Sequence, residues 1–192
     1  MNGLLFDIPA PAAPDIPGLQ YLPDFITAKE ERALIKIIDQ RHWLNDLKRR
    51  VQHYGYKYDY KARAVTADSY LGPLPDWLMH VTQKLPFKPD QAPDQVIVNE
   101  YLSGQGISAH VDCVPCFNDT IASLSLGSGA VMQFINRQEK HDLFLEPRSL
   151  IILSGPARYE WTHAIPARKS DVVDGFKIER GRRVSLTFRT VI

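Results

Sequence analysis

The carboxyl-terminal half of the chain is a series of short β-prone runs, and this feature limits the possible folds most strongly. The runs cover residues 96–102, 120–126, 131–135, 143–145, 150–153, 159–163 and 183–191. Glycine-containing turns separate most of them, among them residues 104–106 and 127–129. Many short strands joined by turns predict antiparallel sheets arranged as a sandwich or barrel.

The amino-terminal half predicts helices instead. Thr27 and Glu30 form the Ser/Thr-x-x-Glu pattern of a capping box, and apolar residues follow at helical spacing, so a helix is predicted over residues 28–40. A second helix is predicted over residues 75–85, since its first turn accepts a proline and Pro86 would end it. Helices followed by many short strands indicate an α+β domain with helices packed on a sandwich.

Length and composition are those of one soluble domain. The chain has 192 residues, of which 44% are hydrophobic and 23% charged. Residues 1–23 are rich in proline and predict an extended arm. We expect no membrane span, because the apolar runs are too short, and a cytoplasmic location, because the chain start lacks a secretory pattern. The formal net charge of +1 gives no global basic field, and we expect a monomer.

Cys113 and Cys116 are the only cysteines of the sequence and form one C-x-x-C motif. A structural zinc site usually needs two such pairs or nearby histidines. A redox pair of the thioredoxin kind would stand at the start of a helix after a strand. We therefore interpret the two residues as loop thiols that lie close together by chance.

The sharpest chemical feature is the pair His110 and Asp112, which are two residues apart. In an extended chain alternate side chains point to the same face, so an imidazole and a carboxylate can reach one ion together. His163 follows at the end of another predicted strand. Two histidines and one carboxylate on one face of an octahedron are the ligands of non-haem Fe(II) oxygenases. The alternative is a structural histidine with an aspartate near it by chance.

The last predicted strand alternates strictly between polar and apolar residues. One face carries Arg183, Ser185, Thr187 and Arg189, and the other carries Val184, Leu186 and Phe188. Two guanidinium groups on one face are costly to bury without a partner, and a dicarboxylate would satisfy them. Asn99 and Tyr101 likewise share one face of the strand before His110. The alternative is an edge strand whose arginines are solvated.

In this order, the motifs resemble those of the AlkB family of Fe(II)- and 2-oxoglutarate-dependent dioxygenases. The matching motifs are Asn99-x-Tyr101, Gly106-Ile107-x-x-His110-x-Asp112, His163 and Arg183-x-Ser185-x-Thr187-Phe188-Arg189. The resemblance implies a double-stranded β-helix (jelly roll) over residues 95–190, supported by the amino-terminal helices. It also implies an enzyme in which His110, Asp112 and His163 hold Fe(II), with 2-oxoglutarate as cosubstrate and O2 as reactant.

The same resemblance implies how 2-oxoglutarate is bound. The implied contacts are Asn99 and Arg189 at the keto-acid end, and Tyr101, Arg183 and Ser185 at the distal carboxylate. Many relatives carry asparagine at the position of Ser185, but a hydroxyl group still donates one hydrogen bond. Arg158 stands where relatives often carry an arginine before the second histidine, and we interpret it as structural or as support for the metal ligands.

Residues 48–70, called the lid segment below, indicate the class of substrate. Basic residues alternate there with tyrosines, and cations hold phosphates while aromatic rings stack unpaired bases. The resemblance places the nucleotide-recognition lid of the family in this segment. The candidate substrate-binding residues are Arg50, Tyr54, Tyr56, Tyr58, Tyr60 and Arg63. The alternative is a tyrosine-rich hairpin packed on the sheet with solvated charges.

The expected reaction is oxidative dealkylation of N-alkylated bases in DNA or RNA. A base must leave its stack to reach the metal, so single-stranded DNA, RNA or a tRNA loop is the expected partner. Val114 stands where repair members of the family carry an acidic residue, and residues 123–128 and 158–165 look closer to the tRNA-hydroxylating members. Hydroxylation of a modified wobble uridine is therefore an alternative. An oxygenase for a protein or small molecule and a non-catalytic jelly-roll module also remain open.

Overall fold

A computed structural model describes residues 13–45 and 47–192. The strands in chain order are β1 (Leu19–Leu22), β2 (Arg50–Tyr54), β3 (Gln95–Tyr101), β4 (Ile107–His110), β5 (Ile121–Gly127), β6 (Ala130–Asn136), β7 (Glu139–Leu145), β8 (Leu150–Leu153), β9 (Thr162–Ile165), β10 (Ser170–Val173), β11 (Phe176–Glu179) and β12 (Arg183–Arg189). The α-helices are α1 (Ala28–Asp39), α2 (Asp76–Thr82) and α3 (Gly155–Tyr159). Single 3-10 turns lie at Ala67–Ser69 and Pro89–Gln91.

The strands form two facing antiparallel sheets and a hairpin. The order in the large sheet is β1-β8-β5-β12-β3-β2, and the order in the small sheet is β4-β9-β6-β7. Strands β10 and β11 form a separate two-stranded hairpin. The predicted α+β double-stranded β-helix (jelly roll) with amino-terminal supporting helices is confirmed. Among the described residues, no helix is both long and apolar enough to cross a membrane.

Two apolar clusters lie on the two faces of the large sheet. The helix-side core packs α1 and α2 on the sheet, and includes Leu34, Leu78, Val98, Leu124 and Leu186. The inter-sheet core lies between the two sheets, and includes Ile121, Met132, Phe134, Ile151 and Leu153. Apolar residues of β12 belong to the helix-side core, so its polar residues face the space between the sheets.

The predicted helices are confirmed with small changes at their ends. At the start of α1, the Thr27 hydroxyl accepts a hydrogen bond from the Glu30 amide, and the Glu30 carboxylate accepts one from the Thr27 amide. Helix α2 ends at Thr82, three residues before the predicted end, and Pro75 is its N-cap. Residue 159 was expected in a strand, but it ends α3, because Pro156 starts a helical turn there.

Two parts of the chain differ from the expected arm and lid. Residues 1–12 of the predicted arm lie outside the described residues, and Leu19–Leu22 of the arm pair with β8 as an edge strand. Within the lid segment, Arg50–Tyr54 pair with β3 as β2. The sequence pattern did not predict this strand, because charged residues alternate along the lid segment. An edge strand tolerates such charged side chains.

We predict that Leu186→Ala strongly destabilises the fold. Leu186 is fully buried on β12, which lies between β5 and β3 in the large sheet. The expected loss in the free energy of unfolding is about 2–5 kcal/mol, because a cavity forms in a packed core. Urea denaturation measures it, with Val172→Ala as control because Val172 is 68% exposed. A loss for Leu186→Ala no larger than that of the control would contradict this packing.

Candidate active site

Polar side chains of three adjacent strands form one wall between the sheets. Ser185 on β12 lies opposite Asn99 on β3 and opposite Ser125 on β5. Arg183 lies opposite Tyr101 on β3. Residues opposite each other in antiparallel strands point to the same face, so these groups converge on one side of the sheet. The apolar residues between them pack on the helices, which fixes the face that the polar residues occupy.

The small sheet brings the candidate metal ligands together. His110 at the end of β4 pairs with His163 on β9, and the two ring centroids are 4.4 Å apart. Asp112 follows two residues later, with Oδ2 3.5 Å from His163 Nε2. One ligand atom from each of the three residues lies within 4.8 Å of the other two. A single metal ion can therefore be bound by all three side chains.

The hydrogen bond of His110 and the charges around His163 and Asp112 suit metal binding. His110 Nδ1 lies 2.8 Å from the Ser108 carbonyl oxygen, which can only accept, so Nδ1 donates and Nε2 is the ring atom that remains for a metal ion. Burial lowers the pKa of His163 to about 4, although the Asp112 carboxylate raises it, so the ring is neutral at neutral pH. Burial raises the pKa of Asp112, but the Arg189 guanidinium opposes this effect, and the pKa lies below its usual range.

Two arginines fix residues 111–116 after β4, which are called the ligand loop below. Arg189 Nη2 donates a hydrogen bond to Asp112 Oδ1, and the Arg189 guanidinium lies 4.8 Å from the Phe117 ring centroid. Arg158, 2% exposed, donates to the carbonyl oxygens of Asp112 at 2.9 Å and Cys113 at 3.3 Å. Arg158 thus holds the backbone of the ligand loop, and Arg189 holds the carboxylate of the candidate metal ligand itself.

The interpretation of Cys113 and Cys116 as two loop thiols is wrong. A tight turn after Asp112, in which the Cys116 amide donates to the Cys113 carbonyl oxygen, brings the two Cα atoms within 5.3 Å. That separation suits a disulfide, and the two residues form one. The two sulfur atoms lie 3.2 and 3.5 Å from the Arg63 carbonyl oxygen. The disulfide therefore lies within the ligand loop, on the side that contacts the lid segment.

A cavity of about 680 Å³ lies over the three candidate ligands. All five residues predicted to bind 2-oxoglutarate line it: Asn99, Tyr101, Arg183, Ser185 and Arg189. Of the predicted substrate-binding residues, Tyr58, Tyr60 and Arg63 line it as well. Both groups therefore share one space with the metal ligands.

The other three predicted substrate residues lie outside this cavity. Arg50 pairs with Glu100 at 2.6 Å on the outer face, Tyr54 packs edge-on against Trp77, and Tyr56 packs against Tyr70. The tyrosines alternate in the sequence but do not share one face, because Gly55 ends β2 with a φ of 75°. A Cβ atom at Gly55 would lie 1.7 Å from the Asp94 carbonyl oxygen, so the turn needs glycine.

Two residues that hydrogen-bond to predicted site residues were not themselves predicted. Ser125 accepts a hydrogen bond of 2.8 Å from Arg183 Nη2, and Arg49 Nε donates one of 2.8 Å to Asn99 Oδ1. The signal for Ser125 was the alternation of serine and leucine over residues 123–126, which matches that of β12. For Arg49 no local signal existed, because the pairing of β2 with β3 decides which of two adjacent arginines faces the cavity.

The side chains present fit a metal ion together with a dicarboxylate. Arg183 is 3% exposed, donates to Ser125, and has no partner for its Nε among the described residues. Burial lowers the pKa of the Arg183 guanidinium, which reflects the missing counter-charge. Arg189 also has an Nε without a partner in the described part of the chain. An anion in the cavity would satisfy these donors, and three protein ligands leave metal positions open for it.

Comparison with known proteins agrees with the fold and with the class of enzyme. The profile of the "2OG-Fe(II) oxygenase superfamily" matches residues 18–189. The chain is 32% identical to "Alpha-ketoglutarate-dependent dioxygenase alkB homolog 7, mitochondrial" of Mus musculus, and the alignment covers 88% of this chain and 76% of the relative. The solved structure of OsALKBH1 has a TM-score of 0.69 over 91% of this chain and 97% of that chain. At 18% identity, that likeness shows the fold alone.

Fold and site together define a 2-oxoglutarate- and Fe(II)-dependent dioxygenase. The chain belongs to the AlkB family of these enzymes, and membership implies Fe(II) and 2-oxoglutarate. It is 41% identical to "Alkylated DNA repair protein ALKBH8 homolog" of Arabidopsis thaliana, over 92% of this chain. The alignment covers only 59% of that relative, so the chain spans about three fifths of its length.

We predict that His110→Ala and Asp112→Ala lose metal binding while the fold remains. Each change removes a candidate ligand. The affinity for Mn(II), a redox-stable probe, should therefore fall at least about 100-fold, which exceeds the usual effect of replacing a residue that only hydrogen-bonds to a metal ligand. Calorimetric titration measures the affinity, and circular dichroism checks the fold.

His80→Ala is the control for those variants, because His80 is an exposed histidine on α2. Its affinity for Mn(II) should equal that of the wild type. Wild-type affinity in a folded Asp112→Ala variant would contradict the three-ligand site.

Proposed function

We propose that this dioxygenase oxidises a nucleic-acid base that is neutral or negatively charged, with a modified uridine of a tRNA loop as first candidate. The observation that supports this is the charge of the cavity lining. Lys48, Arg49 and Arg63 line it in addition to the two arginines of β12. Asp112 is its single carboxylate among the described residues, and it is a candidate metal ligand.

That lining disfavours a positively charged base. Adenine alkylated at N1 and cytosine alkylated at N3 carry a positive charge, which nearby cations repel and a carboxylate would stabilise. Val114 occupies the position where repair members carry such a carboxylate, and it is 48% exposed. Among the described lining residues, only the candidate metal ligand Asp112 would oppose the repulsion from Lys48, Arg49 and Arg63.

The names of the relatives fit a uridine substrate. The chain is 37% identical to "tRNA (carboxymethyluridine(34)-5-O)-methyltransferase alkbh8" of Xenopus tropicalis, and the alignment covers 96% of this chain and 33% of that protein. A carboxymethyl group carries a negative charge, which suits a basic cavity. The expected product keeps the added oxygen as a stable hydroxyl group on the base substituent.

The proposal assigns a role to each group of cavity residues. His110, Asp112 and His163 would hold Fe(II), which together with 2-oxoglutarate supplies activated oxygen for insertion into a C–H bond. Arg189 with Asn99 would bind the keto-acid end of the cosubstrate, and Arg183 with Tyr101 and Ser185 its distal carboxylate. The inter-sheet core beneath them excludes water, which strengthens these charge interactions.

The lid segment would hold the base. Tyr58 contacts Tyr60 edge-on with centroids 5.1 Å apart and lies 5.9 Å from the Phe117 centroid, so an aromatic surface rises beside the metal ligands. Aromatic faces stack unpaired bases, and Lys48 and Arg63 would bind phosphates. Because a base must leave its stack to reach this surface, single-stranded loops should be preferred over duplexes.

Oxidative dealkylation, the first expectation from the sequence, becomes the second candidate. Two names among the relatives favour it, the DNA-repair name of the Arabidopsis protein and "DNA N6-methyl adenine demethylase" of Caenorhabditis elegans, which is 27% identical. Oxidation of a protein or small molecule would follow if nucleic acid does not bind even at low salt. Membership of an oxygenase family opposes the non-catalytic jelly-roll module.

We predict that Arg183→Ala weakens 2-oxoglutarate binding to the Mn(II)-loaded protein. A buried carboxylate would lose its partner, at a cost of about 2–5 kcal/mol, or at least about thirtyfold in Kd. Arg182→Ala is the matched control, because the neighbouring Arg182 pairs on the outer face with Asp39 and Glu100. Equal Kd values for the two variants in calorimetric titration would contradict the role of Arg183.

We predict that total tRNA incubated with the enzyme, Fe(II), 2-oxoglutarate and ascorbate gains one oxygen on a uridine nucleoside. Oligonucleotides with 1-methyladenine or 3-methylcytosine should keep their methyl groups under the same conditions. Mass spectrometry of the digested nucleosides distinguishes the two reactions, and Asp112→Ala is the inactive control. Loss of methyl groups with unchanged uridine would favour dealkylation and overturn the first candidate.

A further inference from the structure

Arg49 immediately precedes β2 and faces the cavity. In the pairing of β2 with β3, Arg50 lies opposite Glu100 and Val51 opposite Asn99. Arg50 points to the outer face, where it pairs with Glu100. Side chains alternate along a strand, so Arg49 falls on the face of Val51 and Asn99, and it lines the cavity.

The contacts of Arg49 join the large sheet to the lid segment. Its Nε donates a hydrogen bond of 2.8 Å to Asn99 Oδ1. Its guanidinium carbon lies 5.7 Å from the ring centroid of Tyr101 and 5.8 Å from that of Tyr60. Both distances are in the range of cation–π attraction. One half-buried side chain thus contacts two residues of β3 and one tyrosine of the lid segment.

The hydrogen bond decides which end of the Asn99 carboxamide faces an anion. A carboxamide has an acceptor oxygen and a donor NH2 group, and rotation about its last torsion exchanges them at little cost. Arg49 can only donate, so it holds the oxygen. The NH2 group then remains for another partner. Without Arg49 the carboxamide could turn its oxygen toward a carboxylate, which would repel it.

We infer that Arg49 is a positioning residue for 2-oxoglutarate. Arg49 fixes the donor end of Asn99 toward the cosubstrate, and it connects the lid segment to the cavity when 2-oxoglutarate is bound there. The inference rests on the proposed binding of 2-oxoglutarate by Asn99. Because Arg49 also contacts Tyr60, cosubstrate binding and the order of the lid segment are coupled. That coupling is reciprocal, as any coupling of two binding equilibria must be.

Binding of 2-oxoglutarate to the Mn(II)-loaded protein tests the inference without turnover. Arg49→Ala should raise the Kd about tenfold or more, the usual effect of losing a hydrogen bond of a charged group. Arg49→Met keeps the side-chain length over the tyrosine rings but has no donor, and it should show the same loss. Arg50→Ala, the adjacent control, should keep the wild-type Kd, because its guanidinium lies on the outer face.

A double-mutant cycle separates positioning from simple attraction of charge. If Arg49 acts through Asn99, adding Arg49→Ala to Asn99→Ala should change the Kd less than about twofold, because interacting residues are not additive. Full additivity of the two losses would overturn the inference, as would wild-type affinity of Arg49→Met. Failure of the wild type itself to bind 2-oxoglutarate would instead overturn the proposed cosubstrate site.

Trypsin provides a second readout, on the lid segment. Lys57, Lys61 and Arg63 are exposed there and offer cleavage sites. Saturation of the Mn(II)-loaded wild type with 2-oxoglutarate should slow their cleavage, and saturation of Arg49→Met should not. Equal protection in both proteins would overturn the link between the cavity and the lid segment.

Discussion

The structure depends on strand β12, whose two faces lie in different environments. On β12, alternate residues pack into the helix-side core, and the residues between them place guanidinium groups inside the cavity. The apolar face fixes the strand, so the arginines cannot turn toward solvent. Their buried positive charge then requires anions. Asp112 supplies one for Arg189, and a dicarboxylate cosubstrate would supply the counter-charge that Arg183 lacks.

This constraint also links the two sheets. Asp112 belongs to the ligand loop beside the small sheet, while Arg189 belongs to the large sheet. Their ion pair therefore joins the candidate metal site to the polar wall of the large sheet. The pair keeps the pKa of Asp112 below its usual range and so keeps the ligand ionised. Arg158 fixes the same loop through its backbone. The orientation of the metal ligand thus depends on groups from both sheets.

Local patterns in the sequence predicted the features that depend on local physics. The capping box of Thr27, the alternation of residues 183–189 and the spacing of His110 and Asp112 each need only neighbouring residues. Strand pairing is long-range, so the sequence could not show that Arg49 faces the cavity and Arg50 the opposite face of the sheet. The sequence grouped the tyrosines of residues 54–60 as candidate substrate residues, but the turn at Gly55 places only some of them at the cavity.

The most direct test of the central claim compares two ligands that differ only at the distal end. 2-Oxopentanoate has the keto-acid group of 2-oxoglutarate but a methyl group in place of the distal carboxylate. If the buried Arg183 requires that carboxylate, calorimetric titration of the Mn(II)-loaded protein should give at least about thirtyfold weaker binding for 2-oxopentanoate. Equal affinities for the two ligands would contradict the claim that the charge on β12 is balanced by the cosubstrate.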